Sequence, residues 1–387
     1  MPTPPMCATH TAFIVPTGTV VTLGQLTGLF QVKWQRIRDE ISGASVKVVS
    51  SSCCDLLSLV GVVSHELHLY RDGVAVWQGP ITRIEFEFDT IEIFAEDILW
   101  FTKKRVMEKG YDYLYGLDTS VDPPVQKDGA QPVMEHIAWL LGPQCYEQYG
   151  DPWGMAGLLT PVYGPEEPNV SRAVNAWSQT VYEDLDHLAA YNGIDYTVLN
   201  REVFWFDTHL DWNPVDDLDE AWLSKFPRIT EYGNQFANRY IKTDGSGYAA
   251  VGLADTSVVT AYGQFIDVVA NENSQTERPY DQVTLAPELP NSEELEAWLS
   301  TAEKRVQDIS PPPTSLVIPS DTTLLPSTTW DVDTLMAGSW FYAVVDRGCR
   351  SIAEYQKINE IKVIEDGLIG ETVSIAAQTA PSSRLTL

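Results

Sequence analysis

The sequence predicts a mainly β protein with an α+β insertion, its strands gathered into two tandem β-domains on either side. Three observations carry that fold class: a long meander near the start, one well-signalled helix followed at once by a hairpin in the middle, and a return to strand patterns at the end. The expected division is an N-terminal β-domain over 1–108, an α+β domain over 109–227, and a second β-domain with an embedded helix over 228–387.

The meander is the stretch Leu67 to Arg105. Asp72-Gly73 is a residue pair that tolerates the positive φ angles of a tight hairpin turn, so strands are expected on both sides of it. Further on, Ile84, Phe86 and Phe88 alternate with Glu85, Glu87 and Asp89, and Ile91 and Ile93 bracket Glu92. A period of two puts alternate residues on opposite faces, which predicts a sheet apolar on one face and charged on the other. An aromatic-rich turn around Trp100 closes the unit, and a domain boundary is expected near Glu108.

Beyond it, Gly110 to Pro132 is rich in Tyr, Asp and Pro. A short helix is expected from Pro132 to Leu141, with Val133, Ile137 and Leu140 on one face and Gly142-Pro143 as its stop. The segment that follows, through Asp151-Pro152-Trp153-Gly154 and Gly164-Pro165, is too polar and Pro-broken for regular structure. Thr180 and Glu183 then form a capping box, Val181, Leu185 and Leu188 share a face, and Asn192-Gly193 ends the helix. Ile194 to Val198 and Val203 to Phe206 read as a hairpin about Asn200-Arg201.

After an acidic run, Asp216, Asp217, Asp219 and Glu220, strands are expected around Ile229 to Thr243 and Val258 to Val269. A helix over Glu293 to Gln307 buries Leu295, Trp298, Leu299, Ala302 and Val306 and stops at Pro311-Pro312-Pro313. The last strands are Ser339 to Asp346, Tyr355 to Glu365 and Glu371 to Ala376, with a turn at Glu365-Asp366-Gly367.

Composition narrows function by exclusion. With 25 Lys plus Arg against 54 Asp plus Glu the formal charge is −29, which repels phosphates and anionic lipid and argues against stable nucleic-acid or membrane binding. No apolar run reaches the roughly 18 residues of a membrane span, and the first residues lack the order of a signal peptide, so synthesis in a cytoplasm is expected. The cysteines, Cys7, Cys53, Cys54, Cys145 and Cys349, show neither a disulfide framework nor zinc spacing; Cys53 and Cys54 are expected as small buried side chains after a strand.

Candidate sites lead to no assignment. His65 and His68 are three apart in a strand and point to opposite faces, unlike the His-Glu-x-x-His pair of a helical zinc site. His136 and His187 have no second ligand one turn on. Asp211, Asn213, Asp216 and Asp217 lack the third ligand and the turn glycine of a calcium loop. Gly245-Ser246-Gly247 reads as a turn between strands, and there is no nucleophile elbow, phosphate-binding loop or dinucleotide fingerprint. No catalytic, cofactor-binding or metal residue is assigned, and no enzyme activity is expected.

The order Tyr70-Arg71-Asp72-Gly73, Trp77-Gln78-Gly79-Pro80-Ile81, Ala95-Glu96-Asp97 and Lys103-Lys104-Arg105 resembles the N-terminal barrel of tail hub proteins. These are minor tail proteins of long-tailed bacteriophages, related in fold to the contractile-phage baseplate hub. Trp34-Gln35-Arg36, Asp39 and Ser42 to Val48 match the way such hubs open. The helix closed by Gly193-Ile194-Asp195-Tyr196, and Leu335-Met336-Ala337-Gly338, match their α+β domain and the end of their second barrel. The resemblance implies two tandem β-barrel-like domains and a structural virion protein at the distal end of the tail, joining tail tube to tip and forming part of the DNA exit channel. It further implies a homotrimer that meets the distal tail protein, the tape measure protein and tail-tip or fibre proteins, with no cofactor. The alternative is a virion- or cell-surface protein that binds or cleaves carbohydrate, motivated by 12 Trp and 17 Tyr together with the many carboxylates.

Overall fold

The computed structural model describes residues 5, 8–106, 117–118, 125–126, 137, 140–141, 158–163, 180–192, 194–207, 213–231, 239–243, 249–253, 266–270, 314–319, 322–367 and 370–379. The first third holds β1 (His10–Pro16), β2 (Gly24–Gln25), β3 (Leu29–Ile37), β4 (Gly43–Val49), α1 (Ser50–Leu57), β5 (His65–Arg71), β6 (Val74–Phe86), β7 (Thr90–Glu96) and the one-turn α2 (Trp100–Lys103). Then come β8 (Leu117–Asp118), β9 (Val125–Gln126), β10 (Thr160–Tyr163), α3 (Val181–Asn192), β11 (Ile194–Leu199) and β12 (Glu202–Asp207). The remainder holds β13 (Arg228–Glu231), β14 (Arg239–Thr243), β15 (Ala249–Leu253), β16 (Ile266–Ala270), β17 (Thr314–Val317), β18 (Trp340–Asp346), β19 (Ser351–Asp366) and β20 (Gly370–Thr379). The protein is mainly β, as its sequence predicts.

Alternation sets the faces of the main sheet. In β3, Val32, Trp34 and Arg36 are buried; in β4, Ala44, Val46 and Val48; in β7, Ile91, Ile93 and Ala95. The residues between them face outward. At the Asp72-Gly73 turn both residues take positive φ, 49° and 85°, the geometry of a type I′ hairpin.

The first seven strands close on themselves. The pairing runs β3-β4-β7-β6-β5-β1-β2, and only Leu26, Thr27 and Gly28 separate β2 from β3, so the path returns to the strand from which it began. Leu26 N donates to Ala12 O and Val49 N donates to Gly28 O, which ties this bend to both neighbours. Closing a sheet requires local curvature, and register shifts occur at Leu29/Gln31, Leu69/Tyr70 and Ile81/Arg83. A corner lies within β6, whose residues up to Pro80 pair with β5 and whose residues from Ile81 pair with β7. A Cβ on Gly79 would lie 1.9 Å from the Glu96 carbonyl oxygen, so the two backbones meet there as only glycine permits.

The C-terminal strands extend this sheet. Residues 360–366 of β19 pair with β3 on one edge and with β20 on the other, while β18 pairs with the start of β19. The stretches 1–108 and 228–387, separated by composition, are thus hydrogen-bonded into one sheet, and a single core runs from Ile14, Trp34 and Trp77 to Leu335, Ile361 and Val373. A second core joins Trp100 and Phe101 to Ile137, Leu140, Leu185, Tyr196 and Trp205. It seats α3 and the β11–β12 hairpin. The capping box forms: Thr180 N donates to Glu183 Oε2 at 2.8 Å and Glu183 N to Thr180 Oγ1 at 3.2 Å.

Three expectations are corrected or fall elsewhere. Cys54 is exposed on α1, because the chain leaves the sheet at Val49 and turns into a surface helix. Phe86 and Phe88 are not part of a buried face: they are 66% and 96% exposed, since the β6–β7 hairpin runs beyond the end of the core. The expected helix over 293–307 lies outside the described residues, as does most of that over 132–141.

Candidate functional site

Buried and half-buried charged side chains form three clusters. In the first, Arg71 follows Leu67 and Leu69 on the apolar stripe of β5 and is fully buried. Its Nε and Nη2 donate to the two carboxylate oxygens of Glu371 on β20 at 2.7 and 2.8 Å, and Nη1 donates to Asp333 at 3.0 Å. These hydrogen-bonded carboxylates outweigh burial and hold the guanidinium pKa above its usual value. Beside it, Trp34 Nε1 donates to His10 Nε2 at 3.0 Å. An indole N–H can only donate, so His10 Nδ1 carries the ring proton toward Glu365, 2.7 Å away. Arg36 alternates with Val32 and Trp34 on β3 and donates to the carbonyls of Val76, Val332, Asp333 and Leu335. Burial pulls its pKa down to about 9, against the pull of Asp333 and Asp331.

The second cluster fastens the α+β segment to the sheet. Asp195 of β11 receives Lys357 of β19 and, at 3.2 Å, Arg38. Asp39 N donates to Tyr196 O at 2.9 Å, the Asp39 carboxylate accepts from Tyr196 N at 2.9 Å, and the Asp39 carbonyl accepts from the Tyr196 hydroxyl at 2.7 Å. Burial, with Asp195 next to it, raises the Asp39 pKa to about 7; burial lowers that of Lys357 to about 8, opposed by Asp195. In the third cluster Glu66, fully buried, receives Arg201 from the β11–β12 turn and lies 3.0 Å from His68 Nε2.

Each cluster bridges segments far apart in the chain, and each charge has an opposite charge or several carbonyls around it. That is the chemistry of a clamp. The sequence carried a signal for the first cluster: Arg71 and Arg36 continue apolar alternations, and an arginine on a core stripe requires a buried partner. The identity of that partner, Glu371, had no local signal.

The histidines and acids weighed for metal binding do not converge. His68 belongs to the Glu66 cluster, while His65 Nδ1 lies 3.1 Å from Gly61 N. Asn213 donates to Ser339 Oγ, Asp216 accepts from Thr329 and, through its carbonyl, from the Trp330 indole, and Asp219 caps a short 3₁₀ turn. His136, Asp211, Gly245-Ser246-Gly247 and the side chain of His187 lie outside the described residues. Among the described residues no group of three or more His, Cys, Asp or Glu is placed to hold a metal ion. No described helix is long and apolar enough to cross a membrane.

The outer face of β19, β3, β4, β7 and β6 carries a shallow cleft of about 620 Å³, lined by Lys33, Arg83, Lys362, Phe94, Ser45 and Glu96 among others. It holds one carboxylate, where glycosidic cleavage generally uses two.

No protein-family profile matches the chain, and no curated protein matches it. Solved structures do. A tail protein from Neisseria meningitidis MC58 aligns with a TM-score of 0.61 at 11% identity, over 95% of this chain and 96% of that one. The 43 kDa tail protein of prophage MuSo2 from Shewanella oneidensis aligns at 0.58 and 11% identity, over 96% and 99%. Prophage tail protein gp18 from Listeria monocytogenes EGD-e aligns at 0.55 and 8% identity, over 95% and 94%. At these identities the likeness is one of fold, and it spans both cores and the long sheet that joins them: the chain has the fold of phage tail proteins.

Proposed function

We propose that this chain is the tail hub of a long-tailed phage, a homotrimeric structural protein at the distal end of the tail that joins tail tube to tip and forms part of the DNA exit channel. The observation that carries this is the extent of the likeness, 95% of this chain and 96% of the Neisseria tail protein, rather than one barrel matched alone. The architecture suits a ring that is put under tension. A closed barrel leaves few free edges, and buried ion clusters cross-link segments that mechanical force would otherwise separate. A net charge of −29 suits a conduit that DNA passes without adhering. The distal tail protein, the tape measure protein and tip or fibre proteins are the proposed neighbours, in a virion part assembled in the host cytoplasm. No catalytic role is proposed. The carbohydrate alternative is weakened among the described residues, where Trp34, Trp77, Trp100, Trp205, Trp330 and Trp340 are buried and offer no face to a sugar, while Trp222 is half-buried and Tyr355 is exposed.

Native mass by light scattering, followed by particle averaging, tests this. A species at three times 43.1 kDa with an axial hole supports the hub. A chain that stays monomeric both alone and mixed with isolated tail tubes removes it.

A further inference from the structure

The β6–β7 hairpin ends in Glu85-Phe86-Glu87-Phe88-Asp89, two exposed aromatic rings among three acids. The turn is held in shape, Glu87 N donating to Thr90 O and Ser50 N to Asp89 O, each at 2.9 Å, so the rings are presented on a braced tip. A large apolar side chain left in water on an ordered turn contributes nothing to the isolated fold.

The outer cleft is complementary in kind. Lys362 lies opposite Gln35, and Lys33 lies opposite Ile364 and Ser45, which makes the two lysines diagonal neighbours on the outer face. Among the described residues neither is paired with a carboxylate, in a chain where acids outnumber bases 54 to 25. Beside them, the ring of Phe94 lies under the Arg83 guanidinium at 3.9 Å, and Ser45 and Gly43 leave the floor low. Glu96 is the acid on the opposite side and directs an acidic guest toward the lysines.

The tip and the cleft of one molecule cannot meet. Arg83 lines the cleft and Phe88 lies five residues further along the same hairpin, about 17 Å at roughly 3.3 Å per residue. We propose that the Phe86–Asp89 tip of one copy docks into the Lys33–Lys362–Phe94 cleft of a second copy of this chain. Two different patches on each protomer make this a head-to-tail contact, which closes into a ring when its rotation allows. The inference rests on the ring assembly proposed above and names the surfaces that build it.

Two double variants test it, both at surface positions: Phe86→Ser with Phe88→Ser at the tip, and Lys33→Glu with Lys362→Glu in the cleft. Each alone leaves the circular dichroism and unfolding midpoint unchanged and weakens self-association about thirtyfold or more, as loss of central aromatic or charged anchors does. Mixed in equal amounts, the two variants retain one intact tip and one intact cleft between them and form a 1:1 dimer that does not grow. A wild-type oligomer whose mass neither variant changes overturns this docking and leaves the ring assembly standing. A wild type that is monomeric at every attainable concentration, both alone and mixed with isolated tail tubes, overturns both. Restored ring formation in the mixture overturns the head-to-tail geometry.

Discussion

Arg71 and Glu371, 300 positions apart, form a two-pronged buried ion pair with N···O distances of 2.7 and 2.8 Å, joining the N-terminal barrel to the last strand. Removing one partner strands the other charge in the core. Arg71→Met is expected to cost about 3–5 kcal/mol, whereas Arg71→Met combined with Glu371→Leu recovers part of that loss. Urea unfolding of the two variants measures the difference.

The capping box makes a smaller and local prediction. Thr180→Ala removes the oxygen that accepts from Glu183 N and is expected to cost about 1 kcal/mol. Hydrogen exchange is expected to speed up across α3 and to leave β3 and β19 unaffected. Equal acceleration everywhere would mean that α3 does not open independently of the sheet.

Asp184 on α3 is fully buried, and burial raises its pKa from 3.8 to about 7. Between those values the folded state holds a proton that the unfolded state has lost, so this group's contribution is full below pH 4 and falls as pH rises through 7. The loss is on the order of 4 kcal/mol. In Asp184→Asn that part of the slope disappears, so the variant gains on the wild type between pH 4 and pH 8. Asp97 and Asp39, raised by burial to about 6 and about 7, tilt stability in the same direction. Thermal unfolding over this range, wild type against variant, reads the effect.

Gly79→Ala puts a methyl group 1.9 Å from the Glu96 carbonyl oxygen, a clash with backbone rather than with a movable side chain. A cost of at least about 3 kcal/mol is expected, seen as lower soluble yield and a lower unfolding midpoint. Gly73→Ala, where a Cβ meets nothing within 4 Å, isolates the cost of positive φ alone and is expected at about 1 kcal/mol.

What the sequence disclosed was local. Asp72-Gly73, Thr180 with Glu183, and the Asn200 turn are contained within a few residues, and each has the predicted geometry. The last three strands were legible from alternation; the first has nearly the expected bounds, and the other two run longer, β19 because pairing on two edges extends it past its apolar core. Alternation states which residues share a face; it does not state whether that face is covered, and Phe86 and Phe88 are therefore outside. Nor does it name a partner: nothing near Gln31 marks Asp366 as its neighbour. The clamp of Lys357, Asp195 and Arg38 was hidden for the same reason, since each of its members reads locally as an ordinary surface charge.

The pairing of β3 with β19 also sets a timetable for synthesis. Gln31 and Asp366 are 335 positions apart, a distance that a ribosome adding about 5–20 residues per second covers in roughly 20 to 70 s. Throughout that interval β3 has emerged without the strand that covers its second edge, and Arg71 lies in an unfinished core without Glu371. The nascent chain is thus a long-lived, half-templated sheet, and the cell that makes this protein has to keep one such edge from finding another.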